Sequence, residues 1–425
     1  MSKFRKATLA AGALTVSTLV LAACAPSAGP AGAAGDDSTI TVWGWRQEDA
    51  KTYDKIFAAF EKEHPGVTVE YVPYLNTEYD TILSTGLKDA SGPDVAQLRS
   101  YGLLQPLVES GDLVPLDDEV SELADFSPSV LDGARGVSDG AVYGVPFAIQ
   151  TLHVIYTKAV FDELGLEEPT TWDEMTSAFD EIKASGLTPL ANTVTDTWML
   201  PIEQEIFGAG TYGGTPYLEK MLDGEASFTD APWVDSVDAW TSTRDYWGDA
   251  YQGTSYEDAQ ALFTSGKAAA FPGGIWELAN FRKANPDLEL GIFNAPAPDG
   301  SGVPVPGYVD GSFGVSDASD NKEAALELVQ WMATADFGQA FTDELAQISP
   351  VPGVTPSDPL LAEAVEAYAA EPSPYITYAY FSGGTPGAWD LASSSFSSLI
   401  LDEIDAAGAA DKIQQGVDQW FKPRS

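Results

Sequence analysis

The chain is 425 residues long and carries 64 acidic against 21 basic side chains, a formal net charge of −43. That length allows two or more domains with full cores. The acidity repels nucleic acid, anionic lipid surfaces and strongly anionic ligands, and it is compatible with neutral solutes. With one cysteine, Cys24, and two histidines, His64 and His153, a zinc site has almost nothing to be made of, and neither metal nor cofactor is expected.

Lys3, Arg5 and Lys6 form a basic start, Ala7 to Ala23 is an apolar stretch of small residues, and Leu21-Ala22-Ala23-Cys24 reads as a lipobox. Residues 1–23 are read as a lipoprotein signal peptide and set aside from fold reasoning; the apolar run is short for a spanning helix. A lone cysteine at the cleavage point fits lipidation better than disulfide chemistry, and more than one acyl chain gives stable anchoring. Residues 24–38, rich in Gly, Pro, Ala and Ser, form a lipidated flexible linker. It would hold the body close to a membrane partner.

Ile40 to Trp45 reads as a buried first strand. A helix from about Glu48 to Glu63 follows, with Ile56, Phe57 and Phe60 at helical spacing, and His64-Pro65-Gly66 stops it. Val67–Tyr71 is a second strand, Tyr79–Ala90 a helix and Asp94–Arg99 a third strand, a βαβ pattern that predicts a mostly parallel sheet. From Asp139 to Lys158 a turn opens a run of β-branched and aromatic residues interrupted by Pro146. Two short extended pieces joined at Tyr143–Gln150 fit that proline, as where a chain leaves one sheet for another; a single strand with an edge proline fits as well. Thr171-Trp172-Asp173-Glu174 is a capping box opening a helix to Ser185. Residues 197–265 read as mainly helical. Ala268–Phe271, Leu288–Phe293 and Tyr308–Val315 are strand candidates, and the remainder is helix-rich, with apolar faces at 324–332 and 413–420. No fixed-period repeat is present.

Tyr143 to Lys158, Y-G-V-P-F-A-I-Q-T-L-H-V-I-Y-T-K, resembles the crossover segment of the extracellular solute-binding proteins that serve ATP-driven sugar importers, the maltose-binding-like family. The resemblance extends over nearly the whole chain after the leader. It implies an α/β, two-lobed periplasmic-binding-protein-like fold, each lobe a mostly parallel sheet flanked by helices, with a ligand cleft at the hinge. The lobes are discontinuous: 39–146 plus about 268–316 for the first, 147–267 plus about 317–425 for the second. It also implies that Gln150 lies in the cleft and touches sugar.

Ligands of open α/β sheets lie beyond the carboxyl ends of strands. Three such ends are Trp45-Arg46-Gln47, Tyr74 to Asn76, and Arg99-Ser100-Tyr101. Flat apolar faces take up the C–H side of a pyranose ring, and planar polar groups bond its hydroxyls. Of the eleven tryptophans, Trp240, Trp247, Trp331 and Trp420 fall in helical apolar patterns and read as core; Trp172 starts a helix and Trp233 sits in a turn. Trp45, Trp198, Trp276 and Trp389 lie near element boundaries or beside glycines. By resemblance, P-G-G-I-W-E-L makes Trp276 the first stacking candidate, Tyr380–Leu391 supplies Trp389, Asp196-Thr197-Trp198 adds a second-lobe contact, and Gly307–Ser312 lines the cleft, with Asp310 on hydroxyls. The maltose-binding type has a carboxylate where Gln150 stands and an aspartate close to Tyr101, so these departures argue against a maltose-like ligand.

Several motifs imitate chemistry. Gly136-Val137-Ser138-Asp139-Gly140 matches a nucleophile elbow, yet a strand rather than a helix follows it and no histidine comes late in the chain. Gly208 to Gly213 matches a dinucleotide glycine pattern outside any βαβ context and reads as a loop. Asp117-Asp118-Glu119 lacks calcium-loop spacing. The resemblance therefore implies a non-enzymatic, monomeric, extracytoplasmic lipoprotein, anchored through Cys24 to the outer face of the cell membrane. It would close on a neutral mono- or oligosaccharide and pass it to the membrane permease of an ABC importer. A secreted glycoside hydrolase, with a carboxylate pair whose separation decides its chemistry, and an adhesin-like glycan binder are the alternatives.

Overall fold

A computed structural model describes residues 38–424; the segment read as a signal peptide, Cys24 and the segment read as a linker before Ser38 lie outside the described residues. Among the described residues nine strands organise the fold: β1 (Ser38–Gly44), β2 (Val67–Pro73), β3 (Val95–Arg99), β4 (Val145–Thr157), β5 (Thr188–Leu190), β6 (Ala268–Gly274), β7 (Leu290–Phe293), β8 (Val305–Val315) and β9 (Pro372–Pro374). Their order is β2-β1-β3-β8-β4-β6-β5, with β7 also on β4 and β9 on β8.

The opening βαβ units form as the pattern predicts. β1 buries Ile40 and Val42, and the helix Ala50–Glu63 buries Tyr53, Ile56, Phe57 and Phe60, one stripe of a 3.6-residue period. β1 runs parallel to β2 and β3. The capping box also forms: Thr171 Oγ1 accepts from the Glu174 N–H and Glu174 reaches back to Thr171 N–H, starting the helix Trp172–Ala184.

The sheet is mixed, not mostly parallel. β8 runs antiparallel to both β3 and β4, and β4 antiparallel to β6 and β7. Long returning strands at the crossover impose this, because the chain passes between the two halves more than once. Nor does the crossover break in two. β4 is one 13-residue strand, and Pro146 is absorbed by register shifts at Pro146/Ala148 and Ala148/Ile149. A bulge leaves the proline's missing donor out of the ladder. The expected exchange of sheets happens within this strand: 145–151 pair with β8, and 152–157 pair with β6 and β7.

Two hydrophobic cores sit on either side of that exchange. One gathers Ile40, Phe57, Val95, Leu98, Phe147, Phe313, Leu328, Phe337 and Phe341; the other gathers Leu152, Phe179, Trp233, Trp240, Phe271, Phe293 and Phe396. Each such side chain, fully buried, contributes about 1.5–3 kcal/mol. Their membership differs from the expected segments. β6 and β7 pack in the second core because they pair with the far half of β4, and the helices Lys322–Met332 and Ala335–Leu345 pack in the first.

Two further expectations change. Trp233 is not in a turn but fully buried in the helix Ala231–Thr241. Gly208 and Gly210 lie inside the helix Met199–Tyr212, which Gly213 in the left-handed region ends, rather than forming a loop. A Cβ at Gly208 would lie 2.6 Å from Ser236 O, and one at Gly210 would lie 2.6 Å from Ala297 Cβ, so these glycines serve close packing. The elbow-like Ser138 is exposed, while His153 is buried in the other half of the fold and bonded to Asn294 and Thr151. Among the described residues no group of carboxylate, His or Cys side chains is placed to hold a metal, and no helix is long and apolar enough to cross a membrane.

Candidate ligand-binding cleft

Between the two cores lies a cavity of about 610 Å³, within the usual range for a small-molecule site. Its first wall is built from strand ends: Trp45 and Arg46 after β1, Tyr74 and Asn76 after β2, and Arg99 closing β3. The opposite wall carries Trp198, Tyr256, Trp276, Tyr378 and Trp389, each at or near the start of a helix. Gln150 of β4 and Tyr308 and Asp310 of β8 come from the crossover strands.

Every sequence-predicted contact except Tyr101 lines this cavity. Tyr101 stands behind the wall: its hydroxyl accepts from the Val309 N–H at 3.1 Å, and its ring packs against Tyr378 and Tyr380. Tyr308 lines the cleft within the Gly307–Ser312 segment expected there, and the cleft also contains Tyr256, Tyr375 and Tyr378, which sequence reasoning did not single out. Their signal was present, since Tyr256 opens a helix capped by Ser255 and Tyr375 and Tyr378 bracket a short helix start. The boundary criterion used for tryptophans would have found them.

The polar groups are restrained by one another. Gln150 Nε2 donates to Asp310 Oδ2 and to Gln347 Oε1, each at 3.0 Å, while Gln150 Oε1 has no partner. Burial raises the Asp310 carboxyl above its ordinary value, and the Gln150 hydrogen bond and the arginines act against that. Arg99 lies over the Trp45 ring at 4.1 Å, bonds Asp80 at 3.1 Å and donates to Asn76 Oδ1 at 2.6 Å. Arg46 pairs with Asp49 at 2.5 Å and Glu48 at 3.3 Å. Burial works against the Arg46 charge, but the two carboxylates outweigh it and hold its pKa above the ordinary value. Both guanidiniums are thus neutralised from within the protein. The site suits an uncharged ligand rich in hydroxyls.

Gly274 makes room for Trp276. A Cβ at residue 274 would fall 1.8 Å from the indole, in direct clash with its six-membered ring. Gly274→Ala is expected to push the indole from its position, with about 1–3 kcal/mol of overpacking strain. Calorimetric titration of any bound solute, beside a melting curve, measures both consequences; an alanine variant with native affinity would show that the indole's position is immaterial.

Residues 43–339 match the family model described as bacterial extracellular solute-binding protein. The chain belongs to that family. A multiple sugar-binding protein of Streptococcus mutans is 26% identical to this solute-binding protein over 342 residues, covering 78% of this chain and 79% of the relative. Among solved structures, the GacH receptor of Streptomyces glaucescens, described with acarbose, superposes with a TM-score of 0.76 at 23% identity over 91% of this chain and 99% of that one. The solute receptor AcbH, described as preferring β-D-galactopyranose, superposes with a TM-score of 0.78 at 20% identity over 91% of this chain and 100% of that one. At these identities the likeness establishes the two-lobed fold. Membership in the family makes the solute-binding protein an extracytoplasmic receptor.

Proposed function

We propose that this solute-binding protein captures a neutral carbohydrate between its two lobes and hands it unaltered to the membrane permease of an ABC importer, as a monomer tethered through a lipidated Cys24. The observation that carries the reading is the composition of the cleft: aromatic faces on both walls, planar polar groups between them, and arginines already paired with carboxylates. The sugars for which the relatives are named supply the ligand class. The flat aromatic faces of Trp and Tyr favour pyranose C–H faces, and Gln150, Asp310 and Asn76 would bond its hydroxyls. The two lobes correspond to the two cores, with β4 and β8 passing between them.

Contacts shared between lobes give the ligand greater affinity for the closed form, which shifts the hinge equilibrium. Going from mostly open to mostly closed takes roughly 5.5 kcal/mol of differential affinity. A micromolar site, about −8 kcal/mol, would still release its cargo. A thermal-shift screen of mono- to tetrasaccharides, sugar alcohols and amino sugars tests the proposal. A ligand at 100 times its Kd adds about 2.7 kcal/mol to stability. Small-angle scattering with the hit should show a smaller radius, and chromatography after long incubation should recover the glycan intact. Cleavage would point to a hydrolase instead, although Glu48 and Asp80 are each held by an arginine. No response to any small sugar, with binding to a polymer, would favour an adhesin.

A further inference from the structure

Directly behind the second wall of the cleft is a carboxyl group that contacts no solvent. Glu277, the first residue of the helix Glu277–Ala284, is 0% exposed. Its Oε1 accepts from the Trp276 indole N–H at 3.2 Å and from the Tyr256 hydroxyl, and its Oε2 accepts from Gln260 Nε2 at 2.8 Å. The indole N–H also reaches Tyr256 Oη, at 3.1 Å. Tyr256 in turn stands edge-on to Trp198, with ring centroids 5.0 Å apart, and its backbone N–H donates to Asp196 Oδ2 at 2.8 Å. Two aromatic residues of the cleft, contributed by separate segments, therefore converge on one planar acceptor, and a third, Trp198, packs against one of them.

We infer that Glu277 is a positioning residue, setting the angle of the Trp276 and Tyr256 rings and through them the affinity of the cleft; this rests on the reading of that cleft as the sugar site. The chemistry favours a carboxyl at this point. One planar group offers two oxygens and about four lone pairs, enough for an indole, a phenol and an amide at once. An apolar replacement takes the acceptor from the Tyr256 hydroxyl and the Gln260 amide, leaves the indole N–H only Tyr256 Oη, and releases both rings to other rotamers. The position at the start of a helix also suits an acid. Burial disfavours the charged carboxyl, and the Tyr256, Gln260 and Trp276 hydrogen bonds together with the Arg46 charge support it.

The test compares Glu277→Met with Glu277→Gln, which keeps an acceptor while Gln260 turns its own amide to match. Two readouts are needed: the 15N indole resonance of Trp276 in ligand-free protein, assigned with Trp276→Phe, and affinity for the best sugar from the screen. Glu277→Met should move the indole resonance and weaken binding about tenfold or more, whereas Glu277→Gln should stay within about threefold of wild type. A Met variant with lowered melting temperature but native indole resonance and affinity would reduce Glu277 to a structural role and overturn the inference. A Gln variant as weak as Met would also overturn it, by making the charge rather than the geometry decisive. Should Glu277→Met not fold, Gln260→Leu removes one donor without touching the cleft, and an unmoved resonance with native affinity there is equally adverse. If wild-type protein binds no sugar, the functional reading fails, yet the indole resonance still decides whether Glu277 orients Trp276.

Discussion

Trp276→Ala is expected to weaken binding of the captured solute by roughly 30-fold or more, the counterpart of about 2 kcal/mol for losing a buried aromatic anchor. The indole is 7% exposed, held from behind by Glu277 and Tyr256 and seated over Gly274, so it meets a ligand already oriented. Pre-organisation matters here because an aromatic that must be ordered on binding forfeits part of its contribution. Truncation also leaves a cavity at the edge of the second core, with a stability loss that can reach about 3–5 kcal/mol. Trp276→Phe separates the two effects, since it retains an aromatic face and loses the N–H donor. Calorimetry on the folded fraction, with melting curves for both variants, makes the measurement. Native affinity in the alanine variant would mean that ligand enters elsewhere in the cleft.

Stability should fall as pH rises from about 5 to 8, contrary to the usual behaviour of carboxylates. Glu203 and Glu205, both fully buried, lie on the helix Met199–Tyr212. Glu203 accepts from Asn192 at 2.8 Å and Glu205 from the Tyr212 hydroxyl at 2.6 Å. Burial nonetheless pushes each carboxyl up to about 8 from the ordinary 4.5. Between those values the folded chain keeps protons that the unfolded chain releases, so each group's contribution is complete below the lower value and is lost as pH climbs through the upper one. The slope approaches about 1.4 kcal/mol per pH unit per group. Exposed carboxylates held low, such as Asp89 by the Ser91 N–H and hydroxyl, act below this window. Urea unfolding at pH 5, 6.5 and 8 reads the trend. Glu203→Gln should make the decline shallower and the double variant with Glu205→Gln shallower still; an unaltered slope would mean that neither group holds its proton.

How far the site could be read in advance differs from residue to residue. Trp45, Trp198, Trp276 and Trp389 stood out because a large aromatic at an element boundary has little to bury against, and all four line the cleft. Arg46, Tyr74 and Arg99 followed from strand ends, since side chains there project beyond the sheet. Tyr101 met the same criterion and is not in the cleft. Its hydroxyl found a partner in the β8 backbone, a contact 208 residues away in sequence. Glu277 was invisible for a related reason: nothing in E-L-A-N distinguishes a surface acid from one enclosed by Tyr256, Gln260 and Trp276.

The sequence by itself determined the local elements, because they depend on nearest neighbours. The opening βαβ units, the Thr171–Glu174 capping box and the helix-rich tail all rest on periodicity and capping within one or two turns. Tertiary structure alone decided which segments share a core, how β8 and β4 pair, and what Pro146 does inside β4. Strand direction and partner depend on returns of the chain from more than a hundred residues away, and local pattern carries no record of them. The same holds for charge. Composition predicted an acidic protein suited to neutral solutes, and the R-Q-E-D run already sets Glu48 and Asp49 beside Arg46, but only the fold brought Asp80 against Arg99 and so removed the second positive charge from the cleft.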